Sequence, residues 1–480
     1  MLFNTATFLV FLVLIFTIYW ITAPKRKNLG LVILLVGSYI FYGWWDWRFL
    51  ILIAFSSGSD FFIGKFLYRT ENPRNRTLLL LLSLVLNLGV LFFFKYFNFF
   101  IDSFHTLTGN KEPGKWDSLN IILPVGISFY TFQTLSYTID IYRRKLTPTN
   151  SSLTFFTFVS FFPQLVAGPI ERAIHLIPQF EKKPSFSYLQ AKSGLKLILW
   201  GLFKKMVIAD QLAVFVDAIY SRPESFNGLE ILLATFAFGY QIYCDFSGYS
   251  DIAIGTARLF GIELMTNFRT PYFAHSIRDF WQRWHISLST WFRDYLFIPL
   301  GGSRVTTLSW IRNILLTFTV SGLWHGANLT FVIWGAAHGL TYVIEKMAAP
   351  RIQMPRYMKN VSGWLVTFLV VNLLWIFFRA GDWAQVQFLV GKIFSTGTLG
   401  FTGIKELILG SSAILEAFLS ITIAFPLFLA IEIAIRNRPF DALLALSSRT
   451  IRRSVYYVLL LMILFLGVLN AAPQFIYFQF

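Results

Sequence analysis

The sequence predicts an all-α, multi-pass membrane protein with about 10–12 transmembrane helices and additional re-entrant and interfacial helices. Of its 480 residues, 56% are hydrophobic and only 14% are charged, whereas soluble domains carry about 25% charged residues. Aromatic residues make up 19% of the chain, which is typical of proteins that place rings against lipid and at the membrane interface. The composition therefore excludes a soluble globular fold.

The apolar windows long enough to cross a bilayer are residues 3–22, 29–45, 48–68, 77–100, 120–141, 196–220, 229–255, 362–380, 412–435 and 455–470. The stretch 310–345 supplies two shorter passes. Residues 152–180 are apolar but contain Pro163, Gly168 and Pro169. Because irregular backbone at membrane depth must be covered by protein, we predict a re-entrant segment there. The first window lacks a preceding basic region and a cleavage site, so we predict a retained span, not a signal peptide.

The basic residues lie in short loops between the apolar windows, and the chain has a net charge of +17. This pattern follows the positive-inside rule, so we predict a membrane-lipid environment and no nucleic-acid partner. Basic loops at 25–27, 65–76 and 143–145 are predicted to be cytosolic, which places the N-terminus in the periplasm. The single cysteine, Cys244, excludes an internal disulfide. No side chains have metal-ligand spacing, so we predict no metal site.

Two histidines, His285 and His325, are the strongest candidates for chemistry in this apolar chain. His325 interrupts an apolar stretch that runs from Ile314 to Ile344. A titratable ring at membrane depth must face protein or water and usually has a function, and histidine is well suited to accept and return a proton near neutral pH. Thirteen residues of helix, about 20 Å, separate His325 from Arg312. We therefore predict a helical hairpin that enters the membrane from the cytosolic side and has His325 at its tip.

Five segments resemble one family. They are Leu123-Pro-Val-Gly-Ile-Ser-Phe-Tyr130, Phe161-Phe-Pro-Gln-Leu-Val-Ala-Gly-Pro-Ile-Glu-Arg172, Tyr243-Cys-Asp-Phe-Ser-Gly-Tyr-Ser-Asp251, Arg278-Asp-Phe-Trp-Gln-Arg-Trp-His-Ile-Ser-Leu-Ser289 and Leu323-Trp-His-Gly-Ala-Asn328. Together and in this order they are similar to the membrane-bound O-acyltransferases (MBOAT). The similar branch contains membrane proteins of alginate O-acetylation, peptidoglycan O-acetylation and teichoic acid D-alanyl transfer. The resemblance covers nearly the whole chain.

The resemblance implies an enzyme of the inner membrane with a central tunnel, in which an acyl group passes from a thioester to a hydroxyl. His325 matches the essential histidine of the Trp-His-Gly motif, and His285 matches the other marked position, 40 residues earlier. The implied donor is acetyl-CoA or another acyl thioester, with no bound cofactor. The implied acceptor is a cell-envelope polysaccharide such as alginate. A periplasmic or membrane-anchored SGNH-like acyltransferase is the expected partner.

The same resemblance implies a single MBOAT transmembrane domain over residues 1–480. Within it we expect peripheral helices in 1–110, a catalytic core in 120–345, and C-terminal helices with an outward aromatic tail in 360–480. Two other functions stay open at this point. A polysaccharide or small-molecule transporter would also have many spans and buried polar residues, and a lipid- or protein-directed acyltransferase would share the chemistry.

Further candidate residues have two interpretations each. Arg278, Arg283 and the nearby Arg293 are candidates for binding donor phosphates, but they also fit the positive-inside pattern with buried stems. Asp245 is either part of the tunnel wall or the structural partner of an arginine in the 269–293 run. Trp324, the first residue of the Trp-His-Gly motif, and Asn328, two residues after the motif, are candidate tunnel residues. Tyr477 is a candidate acyl relay, or one ring of an interfacial aromatic belt.

Overall fold

The computed structural model describes residues 1–108, 121–348, 355–395, 400–437, 440–468 and 475–476. About 80% of the chain is helical, and no strand occurs within these described ranges. The predicted all-α fold is therefore confirmed. The chain divides into two compact units: residues 1–195 with 253–265, and residues 196–252 with 266–480. The predicted single domain, with its internal divisions, stays a prediction.

The first unit contains nine complete helices and most of a tenth among its described residues. They are α1 (Ala6–Thr22), α2 (Lys27–Asp46), α3 (Leu50–Arg69), α4 (Pro73–Leu91), α5 (Phe97–Thr108), α6 (Ile127–Tyr142), α7 (Ser152–Ser160), α8 (Phe162–Leu165), α9 (Ala173–Glu181) and α10 (Tyr188–Leu202). A π-helical turn, Phe92–Tyr96, joins α4 to α5. The short helices α7 to α9 confirm that the proline-containing region 152–180 is irregular.

The second unit begins within α10 and contains eleven of the remaining helices and most of the other one. They are α11 (Asp210–Tyr220), α12 (Gly228–Leu259), α13 (Ile277–Arg283), α14 (Ile286–Phe292), α15 (Thr307–His325), α16 (Leu329–Ala348), α17 (Arg356–Arg379), α18 (Trp383–Phe394), α19 (Thr402–Gly410), α20 (Ser412–Ala434), α21 (Phe440–Leu446) and α22 (Arg449–Leu466). A π-helical segment, Phe203–Ala209, joins α10 to α11. The two predicted passes in 310–345 are the α15–α16 hairpin.

Four helical stretches within the described residues are long and apolar enough to cross a membrane. They are Lys27–Arg69, Pro73–His105, Met358–Arg379 and Ser412–Ala434. Helix α1 is apolar but shorter. The four long stretches overlap the predicted windows 29–45, 48–68, 77–100, 362–380 and 412–435. The window 120–141 is shorter than predicted as a helix, because α6 begins only at Ile127, after a left-handed glycine, Gly126.

A buried polar cluster ties together α3, α4 and α6 in the first unit. Asp60 is fully buried and accepts hydrogen bonds from the Ser83 hydroxyl at 2.6 Å and the Asn87 amide at 2.8 Å. The Thr138 hydroxyl lies 3.3 Å from the same carboxyl group. Polar contacts between apolar helices are specific because the surrounding lipid-facing surface offers no other partners. This cluster therefore fixes the register of the three helices.

The segment Phe161–Arg172 is held by a second buried carboxylate, Glu171. It accepts hydrogen bonds from the backbone N–H of Met265 and, at 2.8 Å, from Nδ1 of His175. The hydrogen bond from His175 to Glu171 raises the pKa of the half-exposed His175 ring above its usual value of 6.5. Glu171 thus anchors this segment, whose irregular backbone lacks the internal hydrogen bonds of a regular helix.

Candidate active site

His325 is the last residue of α15 and is 1% exposed. Its Nδ1 lies 2.7 Å from the backbone carbonyl oxygen of Ser321, one turn earlier in the same helix. Because a carbonyl oxygen only accepts, Nδ1 carries the proton and donates it. In the neutral ring the lone pair is then on Nε2. The helix end therefore fixes both the tautomer and the direction of a potential base.

Aromatic rings surround His325. The ring centroids of Trp324 and Trp334 lie 5.0 Å from its own, and that of Phe378 lies 5.7 Å away. Trp334 is also 4.9 Å from His338, which is fully buried further along α16. These apolar walls limit the access of water, which is needed where an activated acyl group must be protected from hydrolysis.

His285 is brought close to His325 although 40 positions separate them in the chain. The two ring centroids are 6.2 Å apart, with an interplanar angle of 75°. His285 is fully buried, and its ring packs edge-on against Phe246 at 4.6 Å. Trp324 lies beside both histidines, 5.9 Å from His285 by centroid. The predicted pair therefore shares one buried aromatic site.

His285 has a left-handed backbone, with a φ of 42°, and occupies the N-cap position of α14. Such a conformation costs about 1–3 kcal/mol for a residue with a Cβ and persists only where neighbours enforce it. Asn267 is the enforcing neighbour: its carbonyl accepts from the Ile286 N–H at 2.9 Å, and its side-chain oxygen accepts from the Ser287 hydroxyl at 2.9 Å. Sequence reasoning missed this asparagine, which lies in an irregular stretch with no recognisable spacing.

A cavity of about 580 Å³, which we call the basic cavity, is lined by residues close in the chain to the two histidines, although neither histidine lines it. Its lining includes Ser321, whose carbonyl holds His325, and Ile286, the neighbour of His285. Three cationic side chains, Arg278, Arg293 and Lys346, also line it, and all three residues are exposed. The basic cavity thus has positive charge at its exposed part and reaches residues adjoining both histidines. Lys346 was not among the predicted site residues.

The other candidates have more local partners. Arg283 pairs with Asp279 at 2.7 Å and does not belong to the cavity lining. Asn328 caps the start of α16, since its side-chain oxygen accepts from the Thr330 N–H at 3.1 Å and its amide donates to the Gly381 carbonyl at 2.8 Å. Tyr477 lies outside the described residues. The described residues contain no group of three His, Cys, Asp or Glu side chains that could hold a metal ion.

Asp245 belongs to a buried ion-pair network. Its carboxylate lies 2.7 Å from the ammonium of Lys205, which also contacts Asp210 at 2.7 Å. The neighbouring Lys204 pairs with Asp251 at 2.7 Å. The expected arginine partner from the 269–293 run is therefore wrong: the partners are lysines of the π-helical segment. Asp245 also accepts the backbone N–H of Ile476 at 2.7 Å, so it holds a residue of the C-terminal segment.

Comparisons with known proteins identify the family of this chain. The family model of the membrane-bound O-acyltransferases matches residues 74–380. The chain is 40% identical to the probable alginate O-acetylase AlgI of Pseudomonas aeruginosa, over 83% of this chain and 76% of that protein. It is 40% identical to the protein of the same name from Pseudomonas putida, over 83% and 81% of the two chains.

A third relative is the peptidoglycan O-acetyltransferase of Helicobacter pylori. It is 37% identical over 79% of this chain and 77% of its own length. The family model and these relatives support the acyltransferase interpretation over the transporter interpretation. The chain therefore belongs to the membrane-bound O-acyltransferase family and is a multi-pass membrane O-acetyltransferase.

Proposed function

We propose that this enzyme moves an acetyl group from a cytosolic thioester, across the bacterial inner membrane, toward hydroxyls of a cell-envelope polysaccharide such as alginate. His325 acts as the general base and His285 assists it. The hydrogen bond from His325 Nδ1 to the Ser321 carbonyl is the observation that carries this proposal. It leaves the lone pair on Nε2, the form that a general base requires, and Ser321, which accepts this bond, also lines the basic cavity.

The proposed reaction needs one proton carrier and no redox partner. Nε2 of His325 accepts the proton of the attacking hydroxyl, and the hydroxyl oxygen forms a bond to the thioester carbonyl carbon. The carbon–sulfur bond then breaks, and the thiolate takes up the proton from His325. The thioester is already activated, so proton transfer, orientation and exclusion of water supply most of the acceleration. His285, 6.2 Å from His325 by ring centroid, is placed to orient the reacting groups.

The basic cavity is the proposed binding site for the donor. Arg278, Arg293 and Lys346 line it, and cationic side chains of this kind bind phosphate groups through charge-assisted hydrogen bonds. A coenzyme A donor would place its phosphates among these cations and its thioester toward Ser321 and the histidines. These cations belong to basic stretches of the sequence that the positive-inside rule assigns to the cytosol, which supports entry of the donor from that side.

The acceptor and the partner are inferred from the relatives. Two relatives are named for alginate and one for peptidoglycan, and both names point to a carbohydrate polymer outside the membrane. We therefore favour a polysaccharide acceptor over a lipid or protein acceptor. A periplasmic or membrane-anchored SGNH-like acyltransferase would complete the delivery, with the N-terminus of the present chain on the periplasmic side.

Donor binding is tested by removing two cations from the basic cavity. In the Arg278→Ala, Lys346→Ala double variant, we expect the KM for acetyl-CoA to rise about 10- to 100-fold, because each lost charge-assisted hydrogen bond costs about 1.5–3 kcal/mol and only part of it is expressed in exposed groups. The KM for acetyl-pantetheine, which lacks the nucleotide phosphates, should change little. Steady-state assays in membranes measure both.

Arg304→Ala is the matched control, because Arg304 is exposed in the loop before α15 but does not line the basic cavity. It should leave both KM values unchanged. If the double variant weakens the two donors equally, the cations do not recognise phosphate, and the proposed donor site is wrong.

The acyl-relay hypothesis for Tyr477 is tested by Tyr477→Phe, which keeps the ring and removes the oxygen. The hypothesis is supported by the contact of Asp245 with Ile476, the residue before Tyr477, and by the packing of Phe475 against Phe246, which contacts His285. If Tyr477 carries the acyl group, polymer acetylation in cells should be lost, while the fold and donor binding persist. Retention of polymer acetylation in this variant would leave the aromatic-belt role as the explanation.

A further inference from the structure

A second cavity, of about 200 Å³, lies in the second unit and shares no lining residue with the basic cavity. We call it the aromatic cavity. Its walls include Tyr240, Tyr243, Tyr272, Trp364 and Phe428, together with the carboxylate of Glu432. Nothing in the proposed acyl transfer uses these residues. The cavity is several times the roughly 30 Å³ that one water molecule occupies in the liquid, so it can hold a small head group.

Glu432 places a carboxylate in this apolar environment. It is 2% exposed and accepts the Tyr243 hydroxyl at 3.0 Å. No described cation lies within ion-pair distance of it: Lys204 attracts it at longer range but is paired with Asp251 at 2.7 Å. A buried carboxylate within an apolar helix is costly unless a cation accompanies it. The aromatic cavity therefore has the charge of a site for a positively charged group.

The rings around Glu432 form a cage. The centroids of Tyr240 and Tyr243 lie 5.1 and 5.6 Å from that of Tyr272, and Phe428 lies 6.3 Å from Tyr240. Aromatic faces attract ammonium groups through their quadrupoles, and cages of this kind recognise organic cations. The combination of several rings with one carboxylate favours an organic ammonium over a metal ion, which would need more oxygen ligands.

Two exposed residues that line the aromatic cavity belong to apolar helices. Trp364 and Ile433 line it and are 37% and 60% exposed, and both belong to helices that are long and apolar enough to span a membrane. Tryptophan is enriched at the level of the lipid head groups. These positions favour a ligand that enters from the membrane, which points to the ammonium of a lipid.

Arg436 supplies a charge of the opposite sign just outside the cavity. It follows Glu432 by four residues, about 6 Å along a helix, is exposed, and its guanidinium lies 5.6 Å from the ring centroid of Phe273, another lining residue. It donates to Nε2 of His275 at 2.6 Å, which leaves its other N–H groups for a ligand. In a phosphoethanolamine head group, two carbons and an ester oxygen join the ammonium to the phosphate. This short link suits a site with Glu432 for the ammonium and Arg436, one helical turn away, for the phosphate.

We propose that the aromatic cavity binds the head group of a zwitterionic phospholipid, with the ammonium in the cage beside Glu432 and the phosphate at Arg436. The site would hold α20 against α12 and α17 through a lipid, and it is independent of the acyl-transfer chemistry.

The test is lipid binding by native mass spectrometry of the full-length protein. Phosphatidylethanolamine, phosphatidylcholine and phosphatidylglycerol with identical acyl chains are titrated against each other. We expect the ammonium lipids to be retained about tenfold more strongly than phosphatidylglycerol. Glu432→Gln should abolish this preference, since glutamine can still accept the Tyr243 hydroxyl but has no charge. Arg436→Ala should weaken retention of all three phospholipids.

Glu416→Gln is the matched control, because Glu416 is exposed on the same helix and the same charge is removed. It should keep the preference. An equal retention of the three lipids by the wild-type protein overturns the proposal whatever the variants do. A preference that survives Glu432→Gln overturns it as well, and so does displacement of the lipid by free ethanolamine at comparable concentration, since the site would then take a soluble amine.

Discussion

In the His325→Gln variant, we expect the rate of acetyl transfer to fall by about 10²- to 10⁴-fold, the contribution that a positioned general base usually makes. Glutamine fills a similar volume, but it cannot accept and return a proton near neutral pH. Because the donor is proposed to bind in the basic cavity, its KM should change little, so the loss should appear in kcat. A labelled acetyl-CoA assay on membranes, comparing the variant with the wild-type protein, measures both constants.

Ser321→Ala is a sharp control for this prediction. The bond to His325 is made by the backbone carbonyl of Ser321, which the alanine variant retains. Its activity should stay within a few-fold of wild type, although the serine lines the basic cavity. His325→Gln activity close to that of the wild-type protein would remove His325 from the mechanism.

The hairpin that carries His325 could be predicted from the sequence, whereas the residues that surround the histidine could not. Two apolar runs separated by Gly326-Ala-Asn328 predict a turn, and α15 indeed ends at His325. His285 was predicted as a second candidate because it is a histidine in an apolar chain and matches a marked family position, but the 39 intervening residues contain no periodic pattern that would bring the two rings together. Their closeness depends on Asn267 and on a left-handed backbone at His285, which are consequences of tertiary packing.

The buried charges illustrate a second limit. The sequence places Asp245 in a span, so a cationic partner was expected, but the arginines of a following loop seemed to be the available ones. The structure instead uses Lys205, which sits in a π-helical segment, Phe203–Ala209. All seven residues of this segment are buried, so Lys204 and Lys205 are both inside because the segment is enclosed by protein on every side. An amphipathic pattern, which predicts one buried face and one exposed face, does not reveal such a segment.

Gly335→Ala is the second change for which we expect a large effect, although it touches neither histidine. A β-carbon at Gly335 would overlap the carbonyl oxygen of Phe318 and stand 3.0 Å from Cα and N of Gly322, all backbone atoms of α15. The two helices of the hairpin cross here through backbone contact, so neither can yield by a side-chain rotation. Overpacking of this kind costs about 1–3 kcal/mol or more.

The activity of Gly335→Ala should fall further than its stability suggests. Gly322 is three residues before His325, so separating the helices displaces the base, and a misplacement of about 1 Å can cost about 10²-fold in rate. Thermal unfolding in detergent and the acetyl-CoA assay measure the two effects. Gly391→Ala is the matched control: Gly391 is also helical, in α18, but a β-carbon there meets open space. Since alanine favours a helix by about 1 kcal/mol over glycine, this control should be as stable as wild type or more so, and fully active. If the two alanine variants behave alike, close packing at Gly335 does not position His325.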